Sequence, residues 1–248
     1  MEAWFISDIH LKTAEERNGQ ILLRFLRSLL QGNPQQIHLF LLGDIFDLWI
    51  GGGSHFAKKF APLMRALEDL KKAGVRITYI EGNHDVYIES YFQKKLGIEV
   101  FIDPQYYMID GLRVRVEHGD LINPNDLKYL KYRAIIRHPA LKPLANLVPA
   151  RLWDYVGDRA SRRSRGRSGH YRARNEEQLV TMIHTHSEKA YLEKPFDMII
   201  SGHMHVFADR VMPVNGHEIR SINLGSWFEE RIKILRIKDG QAEWVYIS

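Results

Sequence analysis

The feature that most restricts what this chain can fold into occurs five times: a short apolar, β-rich run that stops at a cluster of carboxylate, imidazole or amide side chains. "AWFIS" (3–7) leads into Asp8 and His10, "HLFLL" (38–42) into Gly43 and Asp44, and "RITYI" (76–80) into Gly82, Asn83, His84 and Asp85. "RVRVE" (113–117) leads into His118, Gly119 and Asp120, and "MIIS" (198–201) into Gly202, His203, Met204 and His205. Short apolar and β-branched runs bounded by polar residues predict strands, and helical periodicity over 18–30 and 56–72 places helices between them. This alternation predicts an α/β sandwich. Ligands of such folds gather beyond the carboxyl ends of the strands, so the five clusters should converge.

Further along, Asp110-Gly111, Asn215-Gly216 and Asp239-Gly240 each sit between strand-like runs. These pairs predict tight hairpins, which makes the sheets mixed rather than purely parallel. Between 126 and 175 the strand pattern stops. Basic residues crowd a helical stretch interrupted by Pro139, Pro143 and Pro149, the pattern of an inserted helical cap. Its most biased part is "SRRSRGRSGHYRAR" (161–174).

Composition narrows the chemistry. With no cysteine among 248 residues, thiolate nucleophiles and sulfur-bound zinc are excluded, and any metal must be held by nitrogen and oxygen. Carboxylate, imidazole and amide together suit manganese, iron or zinc better than magnesium or calcium. Two such ions about 3.5–4 Å apart support in-line attack on phosphorus. A formal charge of +5 makes an anionic partner the expectation: a nucleotide, nucleic acid or an anionic membrane surface. The opening "MEAWFISDIH" passes directly into an apolar run without the parts of a secretory leader, and no apolar stretch approaches the ~20 residues that span a bilayer. The expected location is cytoplasmic.

The ordered set D-x-H (8–10), G-D-x-x-D (43–47), G-N-H-D (82–85), H-G-D (118–120) and G-H-x-H (202–205) resembles the calcineurin-like metallophosphoesterase superfamily. That resemblance implies a four-layer α/β sandwich, two mixed β-sheets flanked by helices, as one domain over 1–248 with the cap inserted at about 126–175. It implies two divalent ions, manganese first and iron or zinc as alternatives. Asp8, His10, Asp44 and His205 would hold one ion, and Asp44, Asn83, His118 and His203 the other, with Asp44 as the bridge. His84 would stand beside the scissile phosphate, with Asp85 orienting it, and these two are the expected catalytic pair. Asp47 and Asp120 are expected to hold ligating histidines. His184 and His186, two apart on a helix, do not share a face and are expected to have surface roles.

A second likeness covers nearly the whole chain. The apolar, basic stretch after H-G-D, together with "GDIFDLWIGG" (43–52), the Asp126, Tyr129 and Arg133 spacing and "LGSW" (224–227), resembles the UDP-2,3-diacylglucosamine pyrophosphohydrolase family of lipid A biosynthesis. It implies a nucleotide-linked lipid substrate met by Asn83, His84, Asp126, Tyr129 and Arg133, with acyl chains received by cap residues such as Leu152 and Trp153. It also suggests peripheral contact with an anionic inner membrane surface. No nucleic-acid partner is expected, because the basic strip adjoins an apolar helical segment and lacks interleaved stacking aromatics. One residue departs from the pattern: the best-known branch of that family has Arg where this chain has His84. Another phosphodiesterase or phosphatase of the superfamily, or a scaffold without activity, are the competing readings. A scaffold should show eroded ligands, and here each expected ligand is present.

Overall fold

The computed structural model describes residues 1–52, 54–143 and 176–248. Two mixed sheets dominate it. The first has six strands, β1 (Glu2–Ile6), β2 (Ile37–Leu41), β4 (Arg76–Ile80), β6 (Glu99–Phe101), β12 (Ile232–Lys238) and β13 (Gln241–Ile247), in the order β13-β12-β1-β2-β4-β6. The second has five, β7 (Gln105–Ile109), β8 (Leu112–Val116), β9 (Met198–Ser201), β10 (Phe207–Val214) and β11 (His217–Leu224), in the order β10-β11-β9-β8-β7. β1, β2, β4 and β6 run parallel, as do β8, β9 and β11, while the remaining pairings are antiparallel. Every strand that precedes one of the five polar clusters therefore lies in a parallel stretch, and each cluster emerges at a carboxyl end.

The two-residue alternation of the strands builds the layers. Trp4, Ile6, Leu39, Leu41, Ile77 and Tyr79 face outward to the helices α1 (Arg17–Ser28), α3 (Ala61–Lys72) and α4 (Glu89–Leu96). Their neighbours Ala3, Phe5, Phe40, Leu42 and Ile80 face inward and meet Val114, Val116, Met198, Ile200 and Ile222 of the second sheet. The outer side of that sheet presents Ile199, Val214 and Ile219 to Ala190 and Tyr191 of a helix described over 176–193, here α6. The order is helix, sheet, sheet, helix, the four layers that the resemblance implies.

All three expected hairpins form. Both central residues of each take left-handed backbone, with φ of 47° and 87° at Asp110-Gly111, 50° and 79° at Asn215-Gly216, and 52° and 72° at Asp239-Gly240. The helix expected over 56–72 is instead two, α2 (Ser54–Lys59) and α3, parted at Phe60. Pro62 explains the division: lacking an N–H, it fits the first turn of a new helix and not the interior of an old one. A small parallel ribbon, β3 (Trp49–Ile50) with β5 (Asp85–Val86), was not anticipated and ties the segment after Asp47 to the one after His84.

The start of the expected cap is helical, as α5 (Leu127–Ile136), and none of its residues is buried. Most of the cap, including Leu152, Trp153 and the basic run 161–174, lies outside the described residues. Among the described residues no helix is long and apolar enough to cross a membrane.

Candidate metal centre

Backbone conformation is the first sign of a built site. Asp8, His10, Asp44, His203 and His205 all have left-handed φ, from 51° to 67°. Such angles are uncommon outside glycine and persist where the surroundings force them. The surroundings here are the crossing strand ends: Asp8 N–H donates to Gly43 O (3.1 Å), His10 N–H to Asp44 O (3.0 Å) and Gly202 N–H to His118 O (2.8 Å). Glycine is needed where loops cross closest. A Cβ at Gly82 would overlap Asp44 Oδ1, and one at Gly43 would lie 2.5 Å from His118 Nδ1.

The side chains then fall into two groups that share Asp44. In the first, His10 Nε2 lies 2.9 Å from His205 Nε2, 3.8 Å from Asp44 Oδ2 and 4.0 Å from Asp8 Oδ1. Asp8 Oδ1 is 3.2 Å from His205 Nε2, is buried, and makes no hydrogen bond among the described residues. Its other oxygen accepts the N–H of His203 at 2.9 Å. In the second group, His118 Nε2 lies 3.2 Å from Asn83 Oδ1, 3.2 Å from His203 Nδ1 and 3.6 Å from Asp44 Oδ1. Asp44 thus turns one oxygen to each group. The Oδ1 atom also accepts the N–H of His84 at 2.9 Å.

This donor set fits divalent cations. The ring of His118 is held by Nδ1, 2.8 Å from the carbonyl of Leu42. A carbonyl can only accept, so Nδ1 carries a hydrogen and Nε2 is the atom that faces Asn83 and Asp44, where its lone pair is available to a cation once its own proton leaves. An imidazole lone pair, an amide oxygen and a carboxylate oxygen crowded within a few ångströms repel one another unless a positive charge joins them. The buried Asp8 oxygen without a donor makes the same demand in the first group.

The charges agree with this. Burial drives the His10 imidazole down to about 3 and that of His203 to about 4, leaving both neutral with lone pairs to offer. Burial alone would raise Asp44, but His118, His84 and His10 around it hold it well below the usual carboxylate range. Asp8 is likewise held down, against the effect of burial, by the neighbouring His205. For His118 burial is outweighed by Asp44, Asp8 and Asp120, and its imidazole is raised to about 9. Without a cation, a proton on His118 is the counter-charge for the two carboxylates.

The expected catalytic pair divides. His84 stands at the first group, its ring 4.8 Å from that of His10, with Nδ1 held by the carbonyl of Asp47 at 2.8 Å. Asp85 does not orient it. The Asp85 carboxylate faces away, accepting from the N–H groups of Asp44 (3.1 Å), Ile45 (2.9 Å) and Gly82 (2.7 Å) and from the Tyr79 hydroxyl (2.5 Å). It is a buried knot between the loops after β2 and β4, where burial and nearby Asp44 raise it to about 7. Asp120 is a second correction. Its Oδ2 accepts from Tyr129 Oη (2.9 Å) and Arg133 Nε (2.6 Å), so it grips α5, while the histidine it was expected to hold is fixed by Leu42. Asp47 joins His10 and His84 in a further cluster and secures His84 through its main chain.

Among the expected substrate residues, Asn83 and His84 lie in the site and Tyr129 stands over it, its ring 5.4 Å from that of His203. Arg133 reaches the site's edge through Asp120. Asp126 is exposed, and its carboxylate caps α5 by accepting the N–H of Tyr129 at 2.9 Å.

Three contributors escaped the reading of the sequence. Phe228, 47% exposed, lies nearly parallel to His10 with ring centres 5.7 Å apart. His186, expected at the surface, donates from Nε2 to the carboxylate of the buried Glu117 at 2.6 Å, and Glu117 also pairs with Arg115 at 2.7 Å. The spacing of His186 with the buried Ile183, Ser187 and Ala190 was the available signal. The third is Arg137, at the C-terminal end of α5, bound to Glu81 and Gly82.

Residues 1–207 match the family model described as calcineurin-like phosphoesterase, and the chain belongs to that family of metal-dependent phosphoester hydrolases. Its curated relatives include the UDP-2,3-diacylglucosamine hydrolase of Nitrosococcus oceani, 30% identical over 231 residues that cover 92% of this chain and 88% of the relative. The protein of the same name from Stenotrophomonas maltophilia is 29% identical over 247 residues, covering 97% and 96%.

Proposed function

We propose that the protein hydrolyses the diphosphate of UDP-2,3-diacylglucosamine, releasing 2,3-diacylglucosamine 1-phosphate and UMP, as a step of lipid A biosynthesis. The observation that carries this reading is the extent of the likeness. Relatives of that name align with up to 98% of the chain, well past residue 207 where the family model ends and across residues 126–175. The cap, at about 126–175 of a single domain over 1–248, receives the acyl chains. Leu127, Tyr132 and Ile135, exposed on α5, support that role.

In this reading Asp8, His10, Asp44 and His205 hold one divalent ion and Asp44, Asn83, His118 and His203 the other, manganese being the native metal. Bound there, the ions would neutralise phosphate charge and acidify the attacking water. The chain supplies the rest. Two carboxylates among seven ligands leave the occupied site net positive, which suits a diphosphate. His84, with Nδ1 held by Asp47, keeps Nε2 for the reacting phosphate. Burial lowers its basicity, but in the metal-free chain Asp44, the Asp47 carbonyl and the Asp47 carboxylate outweigh it and raise the imidazole above its ordinary value; from this place the ring can serve as the proton donor to the leaving oxygen. Asp85 acts from a distance by fixing the two loops that bring Asp44 and His84 together. Asn83, His84, Asp126, Tyr129 and Arg133 form the substrate side of the cleft. A net charge of +5 and an apolar, basic cap favour peripheral contact with an anionic inner membrane surface.

The test is incubation with UDP-2,3-diacylglucosamine and manganese, with products read by mass spectrometry. Release of UMP is the expected result; an intact substrate beside a hydrolysed chromogenic diester would replace the lipid with another phosphodiester.

A further inference from the structure

Helix α5 touches the candidate metal centre at two separated places. Tyr129 in its first turn and Arg133 in its last both bind Asp120, two residues beyond His118. Four residues further, Arg137 binds the other side of the cleft: its Nη1 donates to Glu81 Oε2, and its Nη2 donates to Gly82 O at 2.8 Å and to Glu81 O at 3.3 Å. The spacing 129, 133, 137 keeps all three on one helical face, so a single helix bridges the H-G-D loop and the G-N-H-D loop.

The loop that Arg137 grips is closed by its own side chains. The Glu81 carboxylate is buried, and its second oxygen accepts the N–H of Ile88 at 2.8 Å, closing residues 81–88 into a tight turn. Tyr87 completes the contact by donating its hydroxyl to the carbonyls of Ile136 and His138, the latter at 3.1 Å. From the opposite side the turn is pressed against Asp44, with no room for a side chain at Gly82. Asn83 and His84 lie between these two surfaces.

We propose that Arg137 is a positioning residue that holds Asn83 and His84 in place, so that the second ligand group is complete only when α5 is seated. Three acceptors on one rim of the turn are met by the planar, forked guanidinium, a geometry that the single ammonium of lysine cannot reproduce. Loss of this grip frees the turn to shift, and Asn83 Oδ1 moves away from His118 Nε2 while Asp8, His10 and His205 stay where the strand ends fix them. The inference rests on the proposed assignment of Asn83 to the second ion.

The experiment uses the full chain. Glu81→Gln with Arg137→Gln removes the guanidinium without leaving a buried carboxylate unpaired, and Arg137→Lys retains the charge but not the fork. Manganese binding is followed by calorimetry and turnover with bis(p-nitrophenyl) phosphate, alongside Asn83→Ala as a reference. The expected result for the double variant is one manganese bound as in the natural protein and the second weakened about 10-fold or more. In it, kcat falls by a similar factor while KM changes less than about 2-fold. Arg137→Lys should show the same pattern at smaller size. A folded double variant or Arg137→Lys that binds both ions and turns over as the natural protein does overturns the proposal. If Asn83→Ala also binds both ions normally, the assignment of Asn83 fails instead.

Discussion

The two groups of candidate ligands use similar side chains, yet they are held in different ways. Asp8, His10 and His205 are set by main chain: each has left-handed backbone, and the loop from Asp8 to Leu11 is laced to Gly43, Asp44 and Ile45 by bonds of 3.0–3.1 Å. Asn83 and His118 are set largely by side-chain contacts, His118 through Leu42, and Asn83 through a turn clamped by Arg137 of a helix outside both sheets. The first group is part of the sandwich; the second depends also on the cap. A common fold can thus present one rigid half-site while leaving the other to respond to whatever sits on α5.

The change that erases the distinction should have the largest effect. Asp44 faces both groups, so Asp44→Ala is expected to lose both metals by elemental analysis and to lower kcat/KM about 10³-fold or more. His84→Ala removes none of the seven candidate ligands. It should retain both ions while kcat falls about 10²-fold, and a fully active variant would remove His84 from the reaction.

Acidity separates the two groups directly. His10 is neutral throughout the physiological range, with its imidazole near 3, whereas His118 keeps a proton up to about 9 in the metal-free chain. Binding at the second group must displace that proton, so its affinity should rise with pH by up to about tenfold per unit as pH approaches 9, while the first group's rises less. Calorimetry in buffers of differing ionisation enthalpy reads the released proton; equal pH dependence at both sites would contradict the contrast.

The smallest expected effect on the chemistry lies beneath the second group, at the tie between α6 and β8. Burial opposes ionisation of Glu117, but the hydrogen bond and charge of His186, with Arg115, hold its carboxyl below its ordinary 4.5. A carboxylate depressed on folding adds stability that is full above 4.5 and lost as pH falls below it. His186→Gln should therefore cost about 1.5–3 kcal/mol at neutral pH, and the penalty should shrink as acid protonates Glu117. Thermal melts across pH 3–7 check this, and kcat at saturating metal should change little.

Much of the architecture was legible because its signals are local. Alternation within five residues separates Phe5 from Trp4 and Ile6, and a hairpin needs only two residues tolerant of positive φ, as at Asn215-Gly216. The candidate ligands were legible because carboxylate, imidazole or amide side chains follow five of the parallel strands, β1, β2, β4, β8 and β9. What misled were partnerships between distant segments. Asp85 stands next to His84 in sequence but binds Asp44, Ile45 and Tyr79; Asp120 stands beside His118 but binds Arg133. Neighbours along a loop point different ways, so adjacency does not decide who touches whom.

The sequence by itself determined the five strands that precede the polar clusters, the three hairpins, and the seven candidate side chains whose chemistry suits two cations, because residue type and short spacing decide each of these. Only the tertiary structure decided that Asp44 faces both groups, that Asp85 and Asp120 brace loops, and that Arg137 reaches Glu81 across 56 residues of chain. Such contacts arise when separate strand ends and a helix meet in space, and no local pattern encodes which hydrogen-bond donor will arrive there.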